Sequence, residues 1–299
     1  MPSIYPSNLP GPDESARGVG DVLIGEDKAY SLLKACFSGD DTTLRSLLSQ
    51  PQWIQTILEE PNTIYSVWVV RGVPKASARP TLNIERCLTL AAANGRAAAV
   101  SALLSFAKSQ SIDTSTFMTR PLIKHAIGAG NAAVFKALVH ADPRIINLPL
   151  GHRALPLFEA VRRRKYEVAA VLLDHKANPS HPINYGPYRS SLMFQAVSGG
   201  PRMIKMLIAH GFPVNGTAAL HTAAKLEELE TMRLLLQHGA DMNEALDQWR
   251  NWTPMHFATS EGQLEAVELL QEWGAHSDFK DEDGKTAAQI LEESKAVKY

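Results

Sequence analysis

Three polar residues recur at equivalent places in successive segments of the chain: His125, Glu159 and Gln195. Each lies directly before an alanine, and stacked helices approach to about 8–10 Å, so the three side chains could form a hydrogen-bonded ladder. A histidine oriented by a carboxylate is a candidate general base, which would make this ladder a catalytic or small-ligand groove. The alternative is a solvated polar face, which we favour because no nucleophile or metal ligand accompanies the three.

The motifs of well-known catalytic and metal sites are absent from the sequence. It contains no H-E-x-x-H, C-x-x-C, G-x-S-x-G or phosphate-loop pattern. Its two cysteines, Cys36 and Cys87, have no metal-site spacing and cannot form a disulfide framework. We therefore expect no metal, no cofactor and a reducing compartment, either cytosol or nucleus.

The composition is typical of a globular protein without a strong overall field. Of 299 residues, 45% are hydrophobic and 20% are charged, and 30 Lys and Arg face 31 Asp and Glu for a net charge of -1. Such a balance gives no general attraction to nucleic acid or to anionic membranes. No apolar stretch approaches the roughly 18 residues of a membrane span, so we expect no membrane partner and no anchor.

A repeat organises most of the chain. A leucine-like anchor followed three residues later by alanine recurs eight times, with the alanine lost only in the last copy. After a first interval of 56 residues, the anchors follow at 27 to 36 residues, close to the period of about 33 for a helix pair. The anchors are Leu32, Leu88, Ile123, Leu157, Met193, Leu220, Met255 and Ala288.

The clearest copy reads Trp252-Thr-Pro-Met-His-Phe-Ala-Thr-Ser-Glu-Gly262, and the copy before it reads Ala218-Ala-Leu-His-Thr-Ala-Ala224. These segments resemble the ankyrin repeat, whose first helix opens with T-P-L-H-x-A. The resemblance covers about residues 27–297 and is strongest in the last third. It implies an all-α solenoid of about eight helix-turn-helix units with turn fingers between them.

The residues of the motif have physical roles that agree with this resemblance. Thr253 can cap a helix that Pro254 begins, and small alanines let the first helix approach its partner closely. The resemblance also implies that His221 and His256 bond the backbone between neighbouring fingers. Gly211, Gly239 and Gly274 follow the second helices, where a left-handed residue ends a helix.

Four segments define the expected domain organisation. Residues 1–26 are rich in Pro, Gly and Ser and are expected to form a flexible arm before a repeat domain at 27–299. Residues 51–83 interrupt the first two repeats, and their apolar run at 64–70 predicts an extended loop or strand packed on those repeats. Residues 282–299 form a polar C-terminal cap.

In ankyrin proteins the fingers and the end of each first helix contact partners, so the resemblance places a set of residues on a partner-binding surface. These are Trp249, Arg250, Trp252, Ser260 and Glu261, with Tyr185 and Tyr188 two units earlier and Lys225 one unit earlier. Trp and Arg are enriched in interface hot spots. Because a tight turn does not easily bury two indoles, we expect Trp249 and Trp252 to be exposed and to contribute little to folding.

A basic run, Arg162-Arg-Arg-Lys165, ends the fourth first helix. Three interpretations stay open. The run is a solvated helix end, a short nuclear localisation signal, or a patch on the concave face in which Arg162 and Arg163 attract an acidic or phosphorylated partner. Nucleic acid is not expected, since no aromatic residues are interleaved with the cations.

These observations favour a scaffold or adaptor over an enzyme. We expect a monomeric ankyrin solenoid that binds a protein or peptide partner on its concave face and finger tips, with an acidic partner as one option. The alternative from another class is a repeat-built enzyme or ligand binder that uses His125, Glu159 and Gln195.

Overall fold

The computed structural model describes residues 29–59, 67–70, 73–76, 82–150, 154–178, 183–185, 188–190 and 192–297. The expected flexible arm at 1–26 lies outside these residues. Sixteen α-helices are present in the described part of the chain. They are α1 (Tyr30–Ser38), α2 (Asp41–Leu48), α3 (Pro51–Leu58), α4 (Asn83–Ala93), α5 (Ala97–Ser109), α6 (Arg120–Ala129), α7 (Ala132–Ala141), α8 (Pro156–Arg162), α9 (Tyr166–Asp174), α10 (Leu192–Val197), α11 (Gly200–Ala209), α12 (Ala219–Lys225), α13 (Leu229–Gln237), α14 (Pro254–Glu261), α15 (Leu264–Glu272) and α16 (Ala287–Val297).

The repeat anchors predict the first helix of every pair. All eight lie inside α1, α4, α6, α8, α10, α12, α14 and α16, so the all-α fold is confirmed. The seven alanines that follow the anchors are at most 4% exposed, as expected for helices in close approach. They are Ala35, Ala91, Ala126, Ala160, Ala196, Ala223 and Ala258.

Two short hairpins accompany the helices. Strand β1 (Val67–Val70) pairs antiparallel with β2 (Val73–Ala76), and β3 (Ile183–Tyr185) pairs with β4 (Tyr188–Ser190). The strand expected within 64–70 is therefore present at its C-terminal half. The insertion at 51–83 also begins with α3, which packs on α2 and α4 and was not expected as a helix. Residues 60–66 and the side chains of strands β1 and β2 lie outside the described parts of the chain.

The chain divides into two compact units. The first comprises Met1–Ala160 and Glu167–Ala177, and the second comprises Val161–Tyr166 and Asn178–Tyr299. In the first unit α4 packs between α1 and α6, and α5 packs between α2 and α7. In the second unit α12 packs between α10 and α14, α14 contacts α16, and α13 packs between α11 and α15. Both units thus stack first helices on first helices and second helices on second helices. The single domain at 27–299 stays a prediction.

Side chains connect the turn of one helix pair to the turn of the next. In the first unit, Arg96 Nε donates to the carbonyl of Phe37 at 3.1 Å, and Asn131 Nδ2 donates to the carbonyl of Gly95 at 3.1 Å. In the second unit, Gln263 Nε2 donates to the carbonyl of Lys225 at 3.3 Å. These bonds satisfy carbonyls at helix ends that have no partner within the helix.

Successive fingers are also connected, at the other end of the first helices. Asn215 Oδ1 accepts from the amide of Asp241, and Asn243 Oδ1 accepts from the amide of His276, both at 2.8 Å. The two asparagines hold equivalent places in consecutive repeats. The same bond therefore recurs along the second compact unit. The fingers are therefore held in a regular row.

Candidate partner-binding surface

The finger before α14 is fixed by a cap on the helix that follows it. Thr253 and His256 form a capping box in which His256 Nδ1 accepts from the amide of Thr253 at 3.2 Å and lies 2.8 Å from its hydroxyl. His256 Nε2 donates to the carbonyl of Lys285 in the next finger at 3.3 Å. Burial lowers the pKa of His256, so the ring is neutral and serves as a connector between fingers. Both expected roles, the cap and the bridge, are confirmed.

His221 makes the same bridge one unit earlier, with one difference. Its Nε2 donates to the carbonyl of Glu244 at 2.8 Å, and burial lowers its pKa to about 4. Among the residues that the structure describes, its buried Nδ1 has no hydrogen-bond partner, because Ala218 stands at the cap position that Thr253 occupies in α14. A buried acceptor without a partner destabilises the fold, so this repeat is weaker than the next one at its cap.

Aromatic rings from three successive repeats meet beside the finger at residues 246–253. The centroid of Trp249 lies 5.5 Å from that of Phe257, 6.2 Å from that of His221 and 6.5 Å from that of Phe194. The contact with Phe257 is edge to face, the favourable arrangement for two aromatic rings. We call Phe194, His221, Trp249, Trp252, His256 and Phe257 the aromatic cluster.

The second indole, that of Trp252, is held by a hydrogen bond as well as by ring contacts. Trp252 Nε1 donates to Oδ2 of the buried Asp281 at 3.1 Å, and its ring lies edge to face with Phe257 at 5.2 Å. It also stacks on His256 at 6.3 Å. A single indole therefore connects its own finger, the following finger and the first helix of its own repeat.

The expectation that Trp249 and Trp252 are exposed is wrong. Both are half-buried, because the chain reverses within the finger and lays the two rings against α14. The reversal uses a short 3-10 helix at Asp247–Trp249, followed by Arg250 and Asn251 with φ of 57° each. Both tryptophans thus stabilise the fold while part of each ring stays accessible.

Arg250 projects from the tip of this reversal. Its side chain is exposed and forms an ion pair with Asp283 of the next finger, and its carbonyl accepts from the amide of Glu282 at 3.0 Å. An exposed ion pair contributes little to stability, typically 0–1 kcal/mol. The guanidinium is therefore positioned by the fold without being essential to it.

The remaining residues of the expected surface lie at the far end of α14. Glu261 is exposed and pairs with Lys225 of the preceding repeat at 3.1 Å, while Ser260 Oγ donates to the carbonyl of Phe257 at 2.9 Å. The 8 residues of α14 span about 12 Å at 1.5 Å per residue. We call Lys225, Trp249, Arg250, Trp252, Ser260 and Glu261 the finger surface. Tyr185 and Tyr188 face each other across the β3–β4 pair, and their side chains lie outside the described residues.

The three residues of the expected polar ladder lie on the first helices of three successive repeats. His125 is half-buried on α6 and Glu159 is 7% exposed on α8, both within the first unit, while Gln195 is half-buried on α10 in the second unit. Within the residues that the structure describes, no group of three or more His, Cys, Asp or Glu could hold a metal ion. Their presence in one groove stays a hypothesis from the sequence.

Arg162 and Arg163 are exposed at the end of α8, where the first helix turns toward the second. In the second unit this end of a first helix is the one opposite its finger, as α14 shows between Thr253 and Glu261.

None of the helices in the described parts of the chain is both long and apolar enough for a membrane span.

The sequence did not reveal the residues that hold the finger surface in place. Phe194 and Phe257 receive Trp249, while Asp281 and Asp283 receive Trp252 and Arg250. A signal was present for Asp281, because the D-x-D-G pattern predicts a turn in which the first aspartate accepts backbone amides. Its Oδ1 does accept from the amides of Asp283 and Lys285.

Comparison with known proteins agrees with the helix pairs. A family model described as "Ankyrin repeats (3 copies)" matches residues 192–283. "Ankyrin repeat protein nuc-2" of Neurospora crassa is 28% identical over 211 residues, which cover 67% of this chain and 19% of that protein. "Protein phosphatase 1 regulatory subunit 27" of Homo sapiens is 33% identical over 78 residues, 26% of this chain and 49% of that protein.

Two further similarities concern fold and extent. "Glycerophosphocholine phosphodiesterase gde1" of Schizosaccharomyces pombe is 30% identical over 139 residues, 45% of this chain but 12% of that protein. The chain thus spans between 12% and 49% of these three relatives. The ankyrin repeat domain of Bcl-3, a member of the IkappaB family, superposes with a TM-score of 0.54 at 21% identity, covering 69% of this chain and 96% of that one. This likeness shows the fold.

Proposed function

We propose that this chain, which has the ankyrin-repeat fold and matches the ankyrin-repeat family model at residues 192–283, is a scaffold or adaptor that binds a protein or peptide partner through its finger surface. Ankyrin repeats are generally protein-interaction modules, and the fold is typically non-enzymatic. The observation that carries the proposal is the pair Trp249 and Trp252, held rigidly by the aromatic cluster beside the exposed Arg250.

Rigid aromatic side chains are well suited to binding. A side chain that is already ordered loses little conformational entropy when a partner covers it, so more of the contact energy appears as affinity. Indoles and a neighbouring guanidinium are also the residue types most enriched in interface hot spots. The finger surface combines both features over about the length of α14, and the sequence places Tyr185 and Tyr188 beside it.

The names of the relatives support function at the level of protein binding. One of them is a regulatory subunit of protein phosphatase 1, so related repeats occur in a protein that acts through another protein. We propose no shared partner, because the phosphatase subunit matches 26% of this chain. The enzyme alternative at His125, Glu159 and Gln195 gains no support from a phosphodiesterase of which the chain covers 12%.

The setting we propose is the cytosol or nucleus, with the chain acting as a monomer and without a cofactor. The compartment is proposed from the sequence, whose two cysteines, Cys36 and Cys87, cannot form a disulfide framework.

Capture from extract by the immobilised full chain tests this proposal. The charge reversals Arg250→Glu and Glu261→Lys are combined in one variant, because both residues are exposed and the fold tolerates their loss. Arg233→Glu on the exposed face of α13 is the matched control. We expect proteins captured by the wild type and by the control to be depleted at least tenfold with the double variant. An identical captured set for all three proteins would contradict the proposal.

A further inference from the structure

A second charged surface lies at the end of the first helices opposite the fingers, the same end at which Lys225, Ser260 and Glu261 of the finger surface lie. Arg162 ends α8, and Arg163, Arg164 and Lys165 form the turn that follows, with the three arginines exposed. Arg164 has a φ of 56°, and its amide donates to the carbonyl of Val161 at 2.9 Å, so the turn is a defined reversal. Four successive cations thus project from one turn of the second unit.

Tyr166 attaches this turn to the next helix pair. Its hydroxyl donates to the carbonyl of Gly199 at 2.7 Å, directly before α11 begins. The guanidinium of Arg202 lies over the ring of Tyr166, 4.6 Å from its centroid. Arg202 and Lys205 are exposed three residues apart, and therefore on one face of α11.

The cations of this turn and those of α11 are brought together by Tyr166, which contacts both Gly199 and Arg202. We call these cations the turn-edge surface, and its members are Arg162, Arg163, Arg164, Lys165, Arg202 and Lys205. Segments 162–166 and 200–210 contain no aspartate or glutamate, and the exposed Glu167 directly follows the first of them. The concentration of positive charge contrasts with the net charge of -1 for the whole chain.

We propose that the turn-edge surface binds an acidic segment of a partner protein. Arginine is the residue that best recognises carboxylates, because its planar guanidinium can donate two parallel hydrogen bonds. Neighbouring helices lie about 8–10 Å apart, and residues three apart on α11 add about 5 Å. An extended run of about four or five acidic residues, at about 3.3 Å per residue, is as long as these two distances added together.

The surroundings favour a peptide over a membrane or a nucleic acid. The start of α13, which packs beside α11, carries the exposed Glu228 and Glu230, and a flat anionic bilayer would bring its headgroups toward them. Single-stranded nucleic acid needs free aromatic faces for stacking, whereas the Tyr166 ring is covered by Arg202. A narrow peptide can follow the cations alone.

This inference extends the proposed function by a second contact and depends on it only in treating the chain as a partner-binding protein. The test uses a fluorescein-labelled hexaglutamate peptide and the full chain at 50 mM NaCl, with fluorescence anisotropy as the measurement. Two double variants reverse the surface, Arg164→Glu with Lys165→Glu and Arg202→Glu with Lys205→Glu. The control is Lys280→Glu, an exposed cation in a finger.

We expect each double variant to weaken hexaglutamate binding at least tenfold with an unchanged circular dichroism spectrum, and Lys280→Glu to change it less than twofold. Raising NaCl to 300 mM weakens wild-type binding, since screening shortens the range of exposed charges. The variant Arg250→Glu retains hexaglutamate binding even if it loses the captured partner, so failures of the two proposals are distinguishable. No wild-type binding, an equal loss with Lys280→Glu, or tighter binding to phosphatidylserine vesicles or a 12-nucleotide single strand would overturn the inference.

Discussion

The indole of Trp249 and the phenyl ring of Phe257 lie 5.5 Å apart, edge to face, and Trp252 meets the same phenyl ring at 5.2 Å. Phe257 is thus the platform on which both tryptophans of the finger rest. Because the same indoles form the proposed binding surface, stability and recognition are coupled at this site. Variants must therefore separate ring packing from exposed contacts.

The bond between Trp252 and Asp281 can be separated from the packing of the ring. Trp252→Phe keeps an aromatic ring but removes the Nε1 donor, and we expect the free energy of unfolding to fall by about 1–3 kcal/mol because the buried Asp281 loses a partner. Trp252→Ala also loses the ring contacts and should fall further, by about 3–5 kcal/mol in total. Urea denaturation measures both, and equal losses would show that the ring contributes nothing.

His256 is expected to act on folding rather than on recognition. His256→Ala removes the histidine half of the capping box and the bridge to Lys285 together, so unfolding should become easier by about 1–3 kcal/mol. His256→Gln can restore the bridge and should recover part of the loss. Thermal melting of the three proteins provides the comparison. If His256→Ala melted at the wild-type temperature but lost partner capture, this expectation would be wrong.

His221 makes the stability depend on pH. Its pKa is about 4 in the fold against about 6.5 in an unfolded chain, so the fold favours the neutral ring. The stabilisation is complete above pH 6.5 and is lost as the pH falls toward 4, by about 3 kcal/mol for 2.5 units at 1.36 kcal/mol each. Burial lowers the pKa of His256 as well, which acts in the same direction.

The variant His221→Gln isolates this effect, since an amide can donate to Glu244 without titrating between pH 7 and 4.5. We expect its loss of stability over that range to be smaller than the wild-type loss by about 2–3 kcal/mol. Carboxylates titrate equally in both proteins and cancel in the difference. Parallel pH profiles from urea denaturation would mean that His221 is not the titrating group.

Two glycines with the same backbone angle test close packing between turns. Gly39 and Gly262 both have φ of 78°, where alanine is strained by about 1–2 kcal/mol. A Cβ at Gly39 would lie 2.8 Å from Arg96 Cδ, whereas a Cβ at Gly262 would have no atom of the described residues within 4 Å. Gly39→Ala should therefore destabilise more, because Arg96 must also leave the carbonyl of Phe37. Equal losses in denaturant would show that Arg96 adapts freely.

The sequence predicted what depends on short-range patterns. Thr253, His256 and the seven alanines hold their roles because helix caps and helix approach are set by residues three or four positions apart. The left-handed glycines after the second helices follow the same rule: Gly211, Gly239 and Gly274 have φ of 82°, 83° and 92°.

The burial of the tryptophans could not be predicted in this way. Trp252 and Asp281 are 29 residues apart, and their bond exists only because two fingers are stacked side by side. The reversal at Arg250 depends on two non-glycine residues with positive φ, which residue preference alone argues against. Helix α3 is not predicted by the repeat pattern, because Pro51, which begins it, is also the first residue of the insertion between the first two repeats.

Photo-crosslinking tests the central claim, that the finger surface contacts a protein partner, most directly. A benzoylphenylalanine replaces Arg250 or Glu261 on the finger surface, or Arg233 on α13, and the full chain is irradiated in extract. We expect the same partner adduct from positions 250 and 261 and none from position 233. An adduct from position 233 alone, with none from the other two, would contradict the claim.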